Sequence, residues 1–137
     1  MAGVLQCTVT TPEKKVFEGP VRSVVVPAVD GQLGILPRHA PLIGLIGYGE
    51  LRIDAAEGAG ALHFFVEGGF VQVLGGRVSV LAANAVPAAE LDASAEEEAV
   101  RAIASARPAS GSGWEEREAH ARSLGAARSR LRLAKGP

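Results

Sequence analysis

The sequence predicts an all-β N-terminal domain, two sheets packed face to face, followed by two C-terminal helices. Residues 1–87 alternate short apolar runs with glycine and proline turns. After Pro87 the composition shifts to alanine and glutamate, and the apolar period lengthens from two to between three and four. Pro108 and the run Ala-Ser-Gly-Ser-Gly at 109–113 then divide this second part in two.

Each element has its own signal. Val4–Thr11 carries Val, Cys and Thr at strand-favouring positions, and Arg22–Pro27 is a valine-rich strand closed by the Asp30-Gly31 turn. Gly49–Asp54 alternates Leu51 and Ile53 with Arg52 and Asp54, so one of its faces is wet. Leu62–Glu67 and Phe70–Leu74 flank Gly68-Gly69 and read as a hairpin, after which Gly75-Gly76 turns the chain into Arg77–Ala82. Eight to ten short strands are expected. In Phe70–Leu74 and Val78–Leu81 both faces are partly apolar; one fills the core, and the other is covered by a neighbouring strand layer or by a partner. The first helix, within 88–107, places Leu91, Ala95, Ala99, Ala102, Ile103 and Ala106 along one stripe. The second, 114–134, places His120, Leu124, Ala127, Leu131 and Ala134 along another. Alanine stripes bury little area at about 25 cal/mol per Å², so the helix pair is marginal and able to open.

At 137 residues the chain supports one substantial core and a small satellite. The net charge of −1 hides a segregation. Residues 1–87 are nearly neutral, 88–108 are acidic through Glu90, Asp92, Glu96, Glu97 and Glu98, and 109–137 are basic. This points to internal pairing or to a switchable contact with an acidic protein surface. Cys7 is the sole cysteine, which excludes an internal disulfide and fits a reducing cytoplasm. The N-terminus lacks an export signal, and no apolar run approaches the ~20 residues that cross a bilayer.

No catalyst can be assembled. His39, His63 and His120 have no metal-ligand spacing, and the glycines lack the lysine of a phosphate-binding loop. His39 shapes a proline-bounded turn or touches a partner, His63 lies on a polar strand face, and His120 joins the helix seam. Glu96-Glu97-Glu98 reads as a solvated complement to a helix N-terminus. The basic C-terminal run lacks the interleaved aromatics of a nucleic-acid binder. No cofactor or metal is expected.

In order along the chain stand Val9-Thr10-Thr11-Pro12 with Val16-Phe17, the run Asp30–Leu42, Gly49-Glu50-Leu51-Arg52-Ile53, and Phe65–Val73 followed by Val78-Ser79-Val80-Leu81-Ala82. This ordered set resembles the epsilon-subunit family of rotary F-type ATP synthases, whose mitochondrial members are called delta. The resemblance implies a flattened β-sandwich at 1–87 and an antiparallel helical hairpin at 88–137. It implies a non-catalytic subunit of the central stalk, peripheral at the cytoplasmic face of a bacterial inner membrane and held there only through the complex. Its partners would be the gamma subunit, the c-ring and, transiently, the alpha and beta subunits. Carried over by residue, Asp30, Gln32, Arg38 and His39 would face the c-ring, and Phe70 and Gln72 the gamma subunit. Arg122, Arg128, Arg130, Arg132 and Lys135 would pair with an acidic loop of the beta subunit when the hairpin extends to brake ATP hydrolysis.

The chain departs from the family at an ATP-sensing motif that some bacterial members carry in the first helix, Ile/Leu-Asp-x-x-Arg-Ala-x-x-Ala-x-x-Arg. Leu91, Asp92 and Ala99 match, but Ala95 and Ala102 replace both arginines and Glu96 replaces an alanine. Losing guanidinium groups and gaining a carboxylate argues against ATP binding. Two other readings remain: a purely structural coupling subunit without a brake, and a stand-alone β module for a small ligand.

Overall fold

The computed structural model describes residues 4–56 and 60–136. The chain divides into two compact units, Met1–Pro87 and Ala88–Pro137. The first contains β1 (Leu5–Thr10), β2 (Lys15–Ala28), β3 (Gly31–Ile35), β4 (Leu42–Leu45), β5 (Tyr48–Ala55), β6 (Ala61–Leu74) and β7 (Arg77–Pro87). The second opens with a single 3₁₀ turn, Ala88–Glu90, followed by α1 (Ala93–Ser105) and α2 (Trp114–Ala134).

Five strands pair in a closed ring, in the order β1-β7-β6-β5-β2 and back to β1, with β3 added beside β2 and β4 beside β6. The ladders are antiparallel except β1 with β7, which is parallel. The result is a sandwich with a barrel-like closure, followed by two helices. Its interior is lined by Leu5, Cys7 and Val9 of β1, Val21, Val24 and Val26 of β2, Leu51 and Ile53 of β5, and valines of β6 and β7, all essentially inaccessible to solvent. Burying each of these side chains contributes about 1.5–3 kcal/mol.

Fewer and longer strands form than the eight to ten expected: seven among the described residues. The expected hairpin at Gly68-Gly69 is a bend inside one continuous strand. β6 runs unbroken from Ala61 to Leu74 against β7, with Glu67 opposite Asn84 and Gly69 opposite Ala82. Gly68 and Gly69 have φ of 72° and 101°, so the strand coils sharply without losing its ladder. Before the bend Phe64, Phe65 and Val66 are all buried, and the positions that join the main core cluster change across it from Phe64 and Val66 to Val71 and Val73, that is, from even to odd. β2 makes a similar switch at a register shift between Val21 and Ser23, passing from Val21 to Val24 and Val26. The hairpin between β6 and β7 is instead closed by Gly75-Gly76, with φ of 58° and 75°.

The β3–β4 connection holds an unusual residue. Leu36-Pro37-Arg38-His39 closes a four-residue turn through a His39 N–H to Leu36 carbonyl bond of 3.1 Å. Proline sits at its second position, and Arg38 takes φ +69° at its third, where glycine is ordinarily used. His39 Nδ1 donates to the Ala40 carbonyl at 2.8 Å, which braces the turn.

In the second unit, Asp92 caps α1 by accepting from the Ser94 N–H at 3.1 Å. At the start of α2, Glu116 accepts from the Gly113 N–H at 3.0 Å. The expected α2 stripe is inward: Ala127 is buried, and His120, Leu124, Leu131 and Ala134 are half-buried. The α1 stripe differs from expectation. Ala95, Ala102 and Ala106 are exposed, and the half-buried positions are Ala93, Glu96, Glu97, Ala99, Val100, Ile103 and Ala104. Val100 is larger than the alanines it displaces, so rotating this face inward covers more apolar area.

Adding a Cβ at Gly69 would bring it 1.9 Å from the Leu81 carbonyl oxygen. Gly69→Ala therefore destabilises the first unit by at least about 3 kcal/mol in urea unfolding. At Gly75, where no atom lies within 4 Å of the added carbon, alanine costs only about 1–2 kcal/mol. Arg38→Gly relieves the left-handed strain and, after the greater chain entropy of glycine, raises stability by about 0.5–1 kcal/mol in the same assay.

Candidate functional site

The outward positions of β4, β6 and β7 form a continuous apolar surface. Register places Leu45 opposite Phe70 and Phe70 opposite Leu81, and these side chains are 63%, 41% and 39% exposed. One pleat further along, Ile43, Gln72 and Ser79 stand in line, and Leu74 follows on β6. Ile43 and Leu74 are exposed as well. These residues alternate with the buried Val71, Val73, Val78 and Val80, so the same pleat that fills the core aims them outward. Of the two coverings considered for this face, the neighbouring strand layer is absent at these positions. A clustered apolar patch of this kind marks an interaction surface.

Phe70 and Gln72 belong to this surface as successive outward residues of β6. Leu81 belongs to it too, on the second apolar face expected for these strands; Leu45 and Ile43 also belong, and sequence reasoning missed them. β4 is only four residues long, and its Leu-Ile-Gly-Leu sequence carries no polar alternation to reveal which side faces out. Beside the row lies an open pocket of about 310 Å³ between Thr10–Pro12 and Gly69, Leu81, Ala82 and Ala83. It offers threonine hydroxyls and no ionisable side chain, which suits an apolar protein contact better than a charged ligand.

Asp30, Gln32, Arg38 and His39 are not gathered in one place. Asp30 stands in the turn before β3 and Gln32 within it, whereas Arg38 and His39 lie past its far end. At about 3.3 Å per residue the intervening strand keeps the two pairs well apart. Val29 N–H bonds to the Leu45 carbonyl at 3.0 Å, so the Asp30 turn borders the apolar row, while Arg38 leads toward Leu42 opposite Val73. Asp30, Gln32 and Arg38 are exposed; His39 is half-buried.

The five basic residues of α2 have unequal surroundings. Arg130 donates from Nε to Glu96 Oε1 at 2.9 Å, across to α1. Lys135 lies 3.9 Å from Glu97, and Arg122 lies 3.8 Å from Glu118 one turn earlier on its own helix. Arg128 and Arg132 are exposed. Internal pairing thus joins the acidic and basic segments at Glu96 and Glu97, which had been read as solvated dipole complements. The ATP-sensing positions are likewise engaged in structure: Asp92 caps the helix, Glu96 binds Arg130, and Ala95 faces solvent.

The histidines serve local structure. His63 Nδ1 pairs with Glu50 across β5 and β6, and His120 Nε2 donates to the Ile103 carbonyl at 2.7 Å, joining the helices near their connection. Cys7 is fully buried, and loss of hydration pushes its thiol up to about 12, so it stays protonated at neutral pH. Among the described residues no three His, Cys, Asp or Glu side chains converge as a metal site. No helix among them is long and apolar enough to cross a membrane.

Comparison with known proteins gives this surface a context. Residues 4–88 match the model of the ATP synthase delta/epsilon chain β-sandwich domain. The ATP synthase epsilon chain of Solibacter usitatus is 45% identical over 92 residues, 67% of each chain. That of Neisseria meningitidis serogroup A is 38% identical over 99 residues, 72% of this chain and 71% of the relative. In structure, a chain of the Euglena gracilis mitochondrial ATP synthase superposes with a TM-score of 0.80 at 20% identity, over 93% of this chain and 79% of that one. A chain from the central stalk and c-ring of the Tetrahymena thermophila mitochondrial enzyme gives 0.63 at 13% identity, over 94% and 95%. With the sandwich matched from end to end and the sequence shared with several epsilon chains, this protein belongs to the delta/epsilon family of ATP synthase subunits.

Proposed function

We propose that the chain is a non-catalytic central-stalk subunit that ties the gamma subunit to the c-ring and brakes ATP hydrolysis through its helical hairpin. The observation that carries the coupling role is the outward apolar row Leu45–Phe70–Leu81 on a sandwich whose interior is already filled. Such a row loses water only when a second protein covers it. The gamma subunit is the occupant that family membership supports, with Phe70 at its centre and Gln72 supplying a polar contact. The exposed Asp30, Gln32 and Arg38, with the half-buried His39, then present polar groups to the polar loops of the c-ring. Rotation passes from ring to gamma through a rigid β body, which suits a part that transmits torque.

Braking rests on the basic side of α2. Arg122, Arg128, Arg130, Arg132 and Lys135 would pair with an acidic loop of the beta subunit. One exposed pair is worth only about 0–1 kcal/mol, so several must act together to shift a two-state hairpin. The Asp92 cap and the Glu96–Arg130 pair leave no guanidinium arrangement for a nucleotide on α1, so regulation works through contacts between subunits and not through ATP held here. The subunit is peripheral at the cytoplasmic face of the bacterial inner membrane, attached through the complex.

Phe70→Asp weakens binding to the gamma subunit by roughly 10- to 100-fold in titration of the purified subunits, as loss of a central interface aromatic does. Binding unchanged by this substitution would exclude the row as the gamma contact. ATP hydrolysis by the reconstituted catalytic complex falls with the full chain and stays high with residues 1–87, or with a full chain in which Arg122, Arg128 and Arg132 are glutamine. Equal hydrolysis with all three proteins would leave the coupling role and remove the brake.

A further inference from the structure

α1 contributes no buried side chain, and its face toward α2 is only half-buried. Thirteen residues lie at the lower limit of what persists as an isolated helix in water, so α1 depends on what α2 offers it. Polar contacts span the pair at both ends. His120 to the Ile103 carbonyl fastens the end near the connection, and Arg130 to Glu96 fastens the opposite end. The Glu96 and Arg130 side chains are 17% and 22% exposed, which makes theirs the least exposed Lys/Arg–carboxylate pair among the described residues. Lys135 and Glu97 add a looser, exposed pair between the same segments.

We infer that Glu96–Arg130 is a clasp that holds the hairpin shut and, while closed, keeps Arg130 turned against α1 and away from an outside acidic surface. The argument is one of geometry and hydration. Held against α1 with 22% of its side chain exposed, Arg130 presents little of its guanidinium to a second carboxylate while the bond to Glu96 lasts. Taking away one member strands the other, partly dehydrated, so the closed form loses more than an ordinary surface pair would give it. An acidic partner surface therefore gains the whole of Arg130 by replacing Glu96 as the acceptor of its Nε–H. Closure and full engagement of Arg130 by an outside carboxylate become alternatives, decided by which carboxylate Arg130 holds. This consequence for braking rests on the function proposed above; the clasp itself does not.

Native-state amide hydrogen exchange on the full chain tests it. Glu96→Gln and Arg130→Gln each speed exchange of the α1 amides at 97–105 by roughly 10- to 100-fold, the loss expected for a hydrogen bond between charged groups. The amides of Val71 and Val80 in the sandwich keep their rates and report that the rest of the chain is folded. The reversed pair, Glu96→Arg with Arg130→Glu, recovers most of the protection. Wild-type exchange in both single variants, or a reversed pair no better protected than they are, overturns the clasp. Faster exchange in Glu96→Gln together with unchanged hydrolysis by the reconstituted complex supports the clasp and overturns the braking role.

Discussion

The approach of Gly69 to the Leu81 carbonyl is the constraint on which the sandwich depends. At that point β6 passes so close to β7 that no side chain fits, and both strands turn together without breaking their ladder. The turn lets one strand serve both layers, pairing with β5 before the bend and β4 after it. It also sets the parity of everything beyond it. With Val71 and Val73 committed inward, Phe70 and Gln72 have only the outer face, and the row with Leu45 and Leu81 follows. Core and outward apolar row thus arise from one backbone feature, and neither can be shifted by a residue without exchanging places with the other.

This bend explains what the sequence could reveal and what it hid. Alternation was legible in Gly49–Asp54, whose strand keeps one parity throughout, and in the glycine pair at 75–76, which does close a hairpin. At Gly68-Gly69 the same composition carries a bend, because two adjacent glycines permit positive φ without saying whether the partner strand lies ahead or alongside. That information resides in residues 82–85, far along the chain. Strand boundaries were shortened for the same reason: β2 crosses a bulge where its pattern slips, so only its valine-rich half stood out. The two-layer class, the break at Pro87 and the two helices needed only local signals.

The site was legible unevenly, again for physical reasons. Phe70 and Gln72 followed only from the family resemblance; the strand itself showed two apolar faces, and aligning the neighbours on β4 and β7 needed register. The Asp30–His39 group looked like one patch in sequence and occupies the two ends of β3. In the hairpin the charge blocks announced pairing without naming partners. Glu96 and Arg130 are 34 residues apart, and only the antiparallel return of α2 aligns them. Arg38 gave no signal at all, since nothing in its side chain forecasts a left-handed backbone.

The ring of strands has a consequence for how the protein is made. β1 acquires β2 as a neighbour within the first 21 residues, yet its other edge joins β7 in parallel and stays open until residues 77–81 have been synthesised. Such distant parallel pairing is slow, and an unclosed edge is a template for joining foreign strands. A nascent chain stalled before β7 is thus a half-sewn sheet, most exposed to aggregation just before it would become safe. Soon after the β7 seam is complete the helical segment begins to emerge, so the helices are made only once the sandwich is able to shut.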